Sequence, residues 1–283
     1  MHKVDRYVAY AKINLGLEVL GRRVDGYHEL NTLFYRVMEP HDSISVEQSD
    51  IFRLTCSDSA LPVDSRNLIM RAAEKFAERF GVELPSLHIH LEKHIPTAAG
   101  LGGGSSDAAV MLEILCDQIE KLPATSELME IAASIGADVS FFLSGEKAAV
   151  AHGIGEKLAP MELELGCSIL IVKDPAIQIS TREAYEGIHH KHDAKATDYF
   201  TSFEVMPSIA TFDRFLRNDF EPSAFERYPK LAEIKEALYV MGASFALMSG
   251  SGSALFGLFE DRIIAEQARE YFADKGMLTF LEY

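Results

Sequence analysis

Apolar and polar residues alternate strictly near the start of the chain. Ile13, Leu15, Leu17 and Val19 fall on one side and Lys12, Asn14, Gly16 and Glu18 on the other, which predicts a strand over residues 7–20. Strand residues two apart share a face at a spacing of about 6.6 Å, so Lys12 and Asn14 pair a cation with an amide on the side turned away from the core. Asp25-Gly26 predicts a tight turn with Tyr27 and His28 just beyond it, and residues 33–37, 43–46 and 51–55 read as further strands. Leu68, Ala72, Phe76 and Phe80 recur at helical spacing, so a helix is expected over 67–80 with Gly81 as its stop. Residues 87–91 alternate again as a strand. Ala108, Met111, Leu112, Leu115 and Ile119 then predict a helix that begins near Ser105 or Ser106.

A further helix is expected over 126–135, ended by Gly136, with Asp138 directly after it. Gly153, Gly155 and Pro160 place a domain junction near Lys157, dividing the chain into 1–157 and 158–283. Beyond it come a strand over 169–172, a polar loop over 187–201 holding His189, His190 and His192, and a helix from Pro229 to just before Gly242. Residues 245–247 and 254–256 read as strands joined by Ser249-Gly250-Ser251-Gly252-Ser253. A helix over 262–274 and a strand over 277–281 close the chain.

Between the strand at 87–91 and the helix after it, four glycines fall within five positions: Gly100, Gly102, Gly103 and Gly104, with Leu101 among them and Ser105, Ser106 and Asp107 following. Glycines let a backbone approach a ligand closely, and the N–H groups and dipole of a helix start favour an anion. This stretch reads as a phosphate cradle. It is not a Walker loop, because no lysine lies between Pro96 and Lys121. Nor is it a dinucleotide fingerprint, because a proline-led segment precedes the glycines and the acids that follow, Asp117 and Glu120, fall inside or at the end of the helix.

Composition narrows the partners. With 283 residues, 48% hydrophobic and 25% charged, the chain suits one large or two ordinary globular domains. A net charge of −16 argues against nucleic acid or an anionic membrane as partner. No apolar run reaches a membrane span, no secretory core is seen at the N-terminus, and the three widely spaced cysteines suit reduced thiols, so a cytoplasmic protein is expected. His88, His90 and His94 lack the cysteine or carboxylate partners that would complete a metal site.

Pro96 to Ala109 resembles the ATP-binding motif of the GHMP kinases. Three further stretches, in order along nearly the whole chain, resemble the branch of that family acting on 4-diphosphocytidyl-2-C-methyl-D-erythritol: Ala11-Lys12-Ile13-Asn14-Leu15 with Asp25 to Leu30, then Gly136 to Val139, then Met248 to Ser253. The resemblance implies an α+β fold of two domains, one like ribosomal protein S5 domain 2 and one a ferredoxin-like α/β plait, with the active site in the cleft between them. It implies an ATP-dependent transfer to the C2 hydroxyl of that cytidine-diphosphate-bearing alcohol, in the non-mevalonate isoprenoid pathway, by a monomer or weak homodimer. Lys12 and Asp138 match the family's catalytic pair. Asn67, Lys93, Pro96 and Gly100 to Ser106 match its ATP site. Asn14, Tyr27, His28, Asp138 and Tyr185 match substrate contacts, Tyr185 as the ring that stacks on cytosine. Ser249, Gly250, Ser251 and Gly252 would brace the phosphate loop, and Ser106 would be a ligand of Mg²⁺.

The chain departs from the family at Thr97-Ala98-Ala99, where Val-Gly-Ala is usual, at Ser140 in place of proline, and at His152 in place of arginine. Two rival readings remain open at this level. One is another kinase of the family, of homoserine or mevalonate type, which lacks the Tyr27-His28 stretch. The other is a non-catalytic nucleotide-binding regulator, which would be expected to have lost Lys12 or Asp138.

Overall fold

A computed structural model describes residues 4–119, 122–188 and 208–283. In chain order it contains strands β1 (Asp5–Arg22), β2 (His28–Gln48) and β3 (Arg53–Cys56), helix α1 (Leu68–Phe80), strand β4 (Leu87–Glu92), and helices α2 (Gly103–Cys116), α3 (Thr125–Ile135) and α4 (Ala137–Leu143). Strands β5 (Ala148–Gly153), β6 (Lys157–Pro160) and β7 (Ser168–Lys173) follow, then helix α5 (Thr181–Glu186), a 3-10 turn at Ile209–Arg214, and helices α6 (Glu221–Arg227) and α7 (Pro229–Val240). Strands β8 (Phe245–Met248) and β9 (Leu255–Phe259), helix α8 (Arg262–Asp274) and strand β10 (Leu278–Glu282) complete it. Among the described residues no helix is long and apolar enough to cross a membrane.

By packing the chain falls into two units that interleave in sequence. The first takes the described residues up to Ala11, with Pro40–Pro96 and Gly102–Glu146; the second takes Lys12–Glu39, Thr97–Leu101 and Lys147–Tyr283. In the first, the far half of β2 pairs antiparallel with β4, Ser43 opposite Glu92, and β3 adds in parallel. Helix α2 is buried nearly all round, from Ser106 to Leu112 and at Ile114 and Leu115, because α1, α3 and α4 pack against it. Helix α1 is delimited as its sequence predicts. The Asn67 side chain accepts from the Ile69 N–H, and Gly81 closes the helix at φ 62°.

In the second unit the near half of β2 pairs antiparallel with β5, and β5 with β6. After Leu165 the chain forms an antiparallel sheet in the order β10-β7-β9-β8, the β-α-β-β-α-β arrangement of a ferredoxin-like plait. Its core joins Leu170, Val172, Met248, Leu255 and Phe259 of the strands to Leu231, Ile234 and Leu238 of α7 and Phe272 of α8.

Several expectations need correction. The side of β1 that holds Lys12, Asn14 and Glu18 does not face solvent: these residues are 3%, 1% and 3% exposed, and hydrogen bonds on both sides make their burial tolerable. The runs at 33–37 and 43–46 belong to one 21-residue strand. Helix α2 starts at Gly103, ahead of Ser105, because Gly102 takes the left-handed conformation that turns the chain into it. Gly153 and Gly155 serve the turn of the β5–β6 hairpin. Helices α4, α5 and α6 have six or seven residues each and are too short to register as periodicity. From residue 189 onward the polar loop, with His189, His190 and His192, lies outside the described residues.

Phe76 is 1% exposed and meets Phe80 edge-on at 4.8 Å. Phe76→Ala is expected to cost about 3–5 kcal/mol, read as a lower denaturant midpoint in chemical unfolding.

Candidate active site

The candidate residues form two groups, one in each unit. In the second unit the strand-borne Lys12 ammonium donates to Asn14 Oδ1 at 2.6 Å and to the Gly100 carbonyl at 2.9 Å, and lies 5.4 Å from the centre of the Phe34 ring. Its backbone N–H bonds the Leu101 carbonyl. The Asn14 amide donates to Thr32 Oγ1, whose own hydroxyl donates to the Gly16 carbonyl. A lysine fixed by so many acceptors has lost most of its rotamer freedom before any ligand arrives.

The loop at 249–253 closes on the same stretch. Ser249 Oγ donates to the Gly100 carbonyl at 2.9 Å, Asn14 N–H reaches Ser249 Oγ, and the N–H groups of Ser253 and Ala254 meet the carbonyls of Ala98 and Ala99. A Cβ on Gly100 would sit 2.0 Å from the Ser249 carbonyl oxygen, and one on Gly250 would sit 3.1 Å from the Gly100 oxygen. Gly100 also has φ 74°, so two independent constraints demand glycine there. Gly252 is buried and Ser251 half-buried in the same loop. Asn218, which no sequence pattern marks, holds the loop from behind by donating to the carbonyls of Met248 and Gly250. Ala98 takes φ 49°, a conformation that costs a residue with a side chain about 1–2 kcal/mol.

Also in this unit, His28 stacks on Tyr185, with centroids 4.6 Å apart and planes at 15°, and Phe220 meets Tyr185 edge-on at 4.9 Å. Ser180 caps the short helix α5 that carries Tyr185. Tyr27, at the β1–β2 turn, is 62% exposed.

The first unit holds the rest of the glycine stretch. Gly102 precedes α2 at φ 72° without a side chain to cap it, so the first-turn N–H groups are left for another acceptor. A Cβ on Gly104 would meet only Leu68 Cδ1, at 3.5 Å. Bare backbone at a helix start fits phosphate oxygens. Ser105 is half-buried and Ser106 buried in this turn. The Ser105 hydroxyl lies 3.9 Å from where a Cβ on Gly136 would be, which brings the start of α2 beside the start of α4. Asp138 sits half-buried in the first turn of α4. Pro96 is half-buried, and Asn67 donates to the Pro62 carbonyl while capping α1.

Lys93 has an environment the sequence does not announce. Its ammonium is held between Asp42 and Asp107, the latter at 2.9 Å, with the three side chains 6%, 0% and 4% exposed. Asp42 also accepts the N–H groups of His94 and Ile95. Burial, reinforced by Asp42, pushes the Asp107 carboxyl up to about 7 against the pull of Lys93, and Oδ1 of Asp107 is buried with no hydrogen-bond partner. Burial works against the Lys93 ammonium, but the two carboxylates outweigh it and its pKa is raised. Asp42 escaped detection because it sits mid-strand where the sequence suggests a break.

Among the described residues no group of three or more His, Cys, Asp or Glu is placed to hold a metal ion. His88 and His90 instead share the Thr55 hydroxyl, and His88 pairs with Glu47. The Ser106 hydroxyl, in the first turn of α2, is a hard oxygen donor of the kind that would suit a Mg²⁺ ion accompanying bound phosphates.

Two outcomes are expected here. Gly100→Ala should separate the two loops and weaken binding of an ATP analogue at least about tenfold, whereas Gly21→Ala, with open space around the new methyl, should leave it unchanged in isothermal calorimetry. Since the folded pKa of Asp107 lies above its ordinary 3.8, its stabilising effect is present below pH 4 and lost as the pH rises through about 7. The stability of wild type relative to Asp107→Asn should therefore fall across that window in urea titrations at successive pH values.

Comparison with known proteins identifies the family. Residues 67–146 match the GHMP kinases N terminal domain and residues 204–276 the GHMP kinases C terminal domain. The chain is 38% identical over 270 residues to the 4-diphosphocytidyl-2-C-methyl-D-erythritol kinase of Chlorobaculum parvum, covering 94% of this chain and 93% of that one. It is 42% identical over 257 residues to the kinase of the same name from Porphyromonas gingivalis, covering 89% and 91%. A crystal structure of 4-(cytidine 5'-diphospho)-2C-methyl-D-erythritol kinase aligns over 98% of both chains with a TM-score of 0.75 and 36% identity. Homoserine kinase from Cytophaga hutchinsonii shares the fold, with a TM-score of 0.69 at 16% identity over 98% of this chain and 94% of that one. The chain belongs to the GHMP kinases, in the 4-diphosphocytidyl-2-C-methyl-D-erythritol kinase family.

Proposed function

We propose that this protein transfers the γ-phosphoryl group of ATP to the C2 hydroxyl of 4-diphosphocytidyl-2-C-methyl-D-erythritol, in the non-mevalonate isoprenoid pathway. The observation that carries the reading is the identity of about two residues in five, over nine-tenths of the chain, to relatives bearing that kinase's name. The stacked ring of Tyr185 supports it, since a flat aromatic face suits a pyrimidine. The homoserine and mevalonate readings have only the shared fold behind them, at 16% and 13% identity.

Phosphoryl transfer asks mainly for positioning and for neutralising charge. Gly100 to Ser106 would receive the phosphates on backbone N–H groups, with Asn67, Lys93 and Pro96 on the nucleotide side. Asp138 would take the proton of the acceptor hydroxyl or orient it. Lys12 would draw charge from the phosphoryl oxygens, its strand and Asn14 fixing where its ammonium stands. Asn14, Tyr27, His28 and Tyr185 would bind the cytidine-bearing alcohol, and Ser249 to Gly252 would brace the phosphate loop. Mg²⁺ would accompany ATP, with Ser106 as its protein ligand, and would neutralise phosphate charge when bound. The division into domains 1–157 and 158–283 belongs to the same proposal, as does a cytoplasmic monomer or weak dimer. Its free thiols at Cys56, Cys116 and Cys167 suit a reducing compartment.

In a coupled assay of ADP release, turnover is expected with the cytidyl alcohol and not with homoserine or mevalonate; the reverse preference would overturn the reading. Asp138→Asn should lower kcat by about two to four orders of magnitude with ATP binding intact. Tyr185→Ala should raise KM for the cytidyl substrate roughly tenfold and spare KM for ATP.

A further inference from the structure

We infer that Asp42 and Asp107, acting through Lys93, are positioning residues for the nucleotide loop, clamping the strand that enters it to the helix that leaves it. The inference rests on the reading of the protein as an ATP-dependent kinase.

The loop from Pro96 to Gly102 has two ends, and the same three side chains hold both. At the entering end, Asp42 accepts the N–H groups of His94 at 2.6 Å and Ile95 at 2.8 Å, and the Lys93 N–H bonds Ser57 Oγ at 2.9 Å. At the leaving end, Asp107 stands one turn into α2 and takes the Lys93 ammonium on Oδ2 at 2.9 Å. Between them the backbone is pressed close: a Cβ on Gly103 would lie 2.8 Å from both Lys93 Nζ and Ile95 Cγ2. Glycine at 103 is thus what lets the ammonium reach across.

The charge balance argues for a clamp and against a phosphate contact by Lys93. Its ammonium is 6% exposed and shared by two buried carboxylates, so its charge is already matched from inside the protein. A lysine that served the phosphates directly would need to turn its head outward and leave both carboxylates buried and unpaired. What Lys93 offers the nucleotide is geometry. The N–H groups of the first turn of α2 can point at phosphates only while that turn is held against the end of β4.

The test separates the clamp from ordinary stability. Asp107→Leu keeps the side chain's size and leaves Lys93 and Asp42 as a balanced pair. Asp107→Asn keeps an oxygen for the ammonium. Affinity for AMP-PNP with Mg²⁺ is measured by calorimetry, KM for the acceptor alcohol by ADP release, and folding by circular dichroism. The leucine variant should bind AMP-PNP at least about tenfold more weakly, with KM for the acceptor within about twofold, and the asparagine variant should recover most of the loss. If the leucine variant does not fold, Asp107→Ser, too short to reach Nζ, reads the same quantity. The clamp is overturned if the variant lacking it binds AMP-PNP as wild type does, if asparagine is no better than leucine, or if affinity for both substrates falls together. Wild type failing to bind AMP-PNP at all would remove the kinase reading and the clamp with it.

Discussion

At Gly100 a backbone carbonyl accepts the Lys12 ammonium and the Ser249 hydroxyl together, while its α-carbon lies too near the Ser249 carbonyl for any side chain. Much of the second unit is arranged to make that approach possible. Asn14 holds Lys12, Thr32 holds Asn14, and Asn218 holds the loop at 249–253 from the other side. Each of these polar groups is buried, so each would be costly without its partner, and the chain of partners ends on backbone carbonyls that cannot move independently. The result is a glycine loop whose entry is set by main-chain packing. Side-chain choice at 97–99 matters less, which is how Ala98 persists in a left-handed conformation.

How much of this was legible in the sequence depended on whether a feature was local. Helix α1 announced itself from end to end, because Asn67 and Gly81 act within a residue or two of the backbone they cap. The same holds for Pro229, the first residue of α7. Buried polar residues were the opposite case. Alternation along β1 correctly separates two faces, but it cannot say that both are covered, so Lys12 and Asn14 read as solvated until their partners at 32, 100 and 249 are seen. Asp42 is the extreme instance. Its partners lie 51 to 65 positions away, and nothing in the residues around it marks a strand passing through.

A chain of net charge −16 that receives a polyphosphate has to manage its few cations closely. Three lysines show different solutions. Lys93 is matched by carboxylates, and Lys12 is held by an amide oxygen and a carbonyl. Lys173, 2% exposed, donates to the carbonyls of Asp174 and Ile177, and burial lowers its pKa.

The parallel contact between His28 and Tyr185 bears on how any flat ligand would be recognised there. A ring arriving on the face of Tyr185 that His28 covers meets a surface already occupied, so binding is an exchange of one planar partner for another. The dispersion and desolvation gained by the newcomer are partly what the imidazole gives up, and the net benefit of stacking shrinks accordingly. Discrimination then shifts from the face of the ring to its edge, to the hydrogen bonds that imidazole cannot imitate. A ligand stacking on that face would have to be a better partner for Tyr185 than the imidazole, and not merely flat.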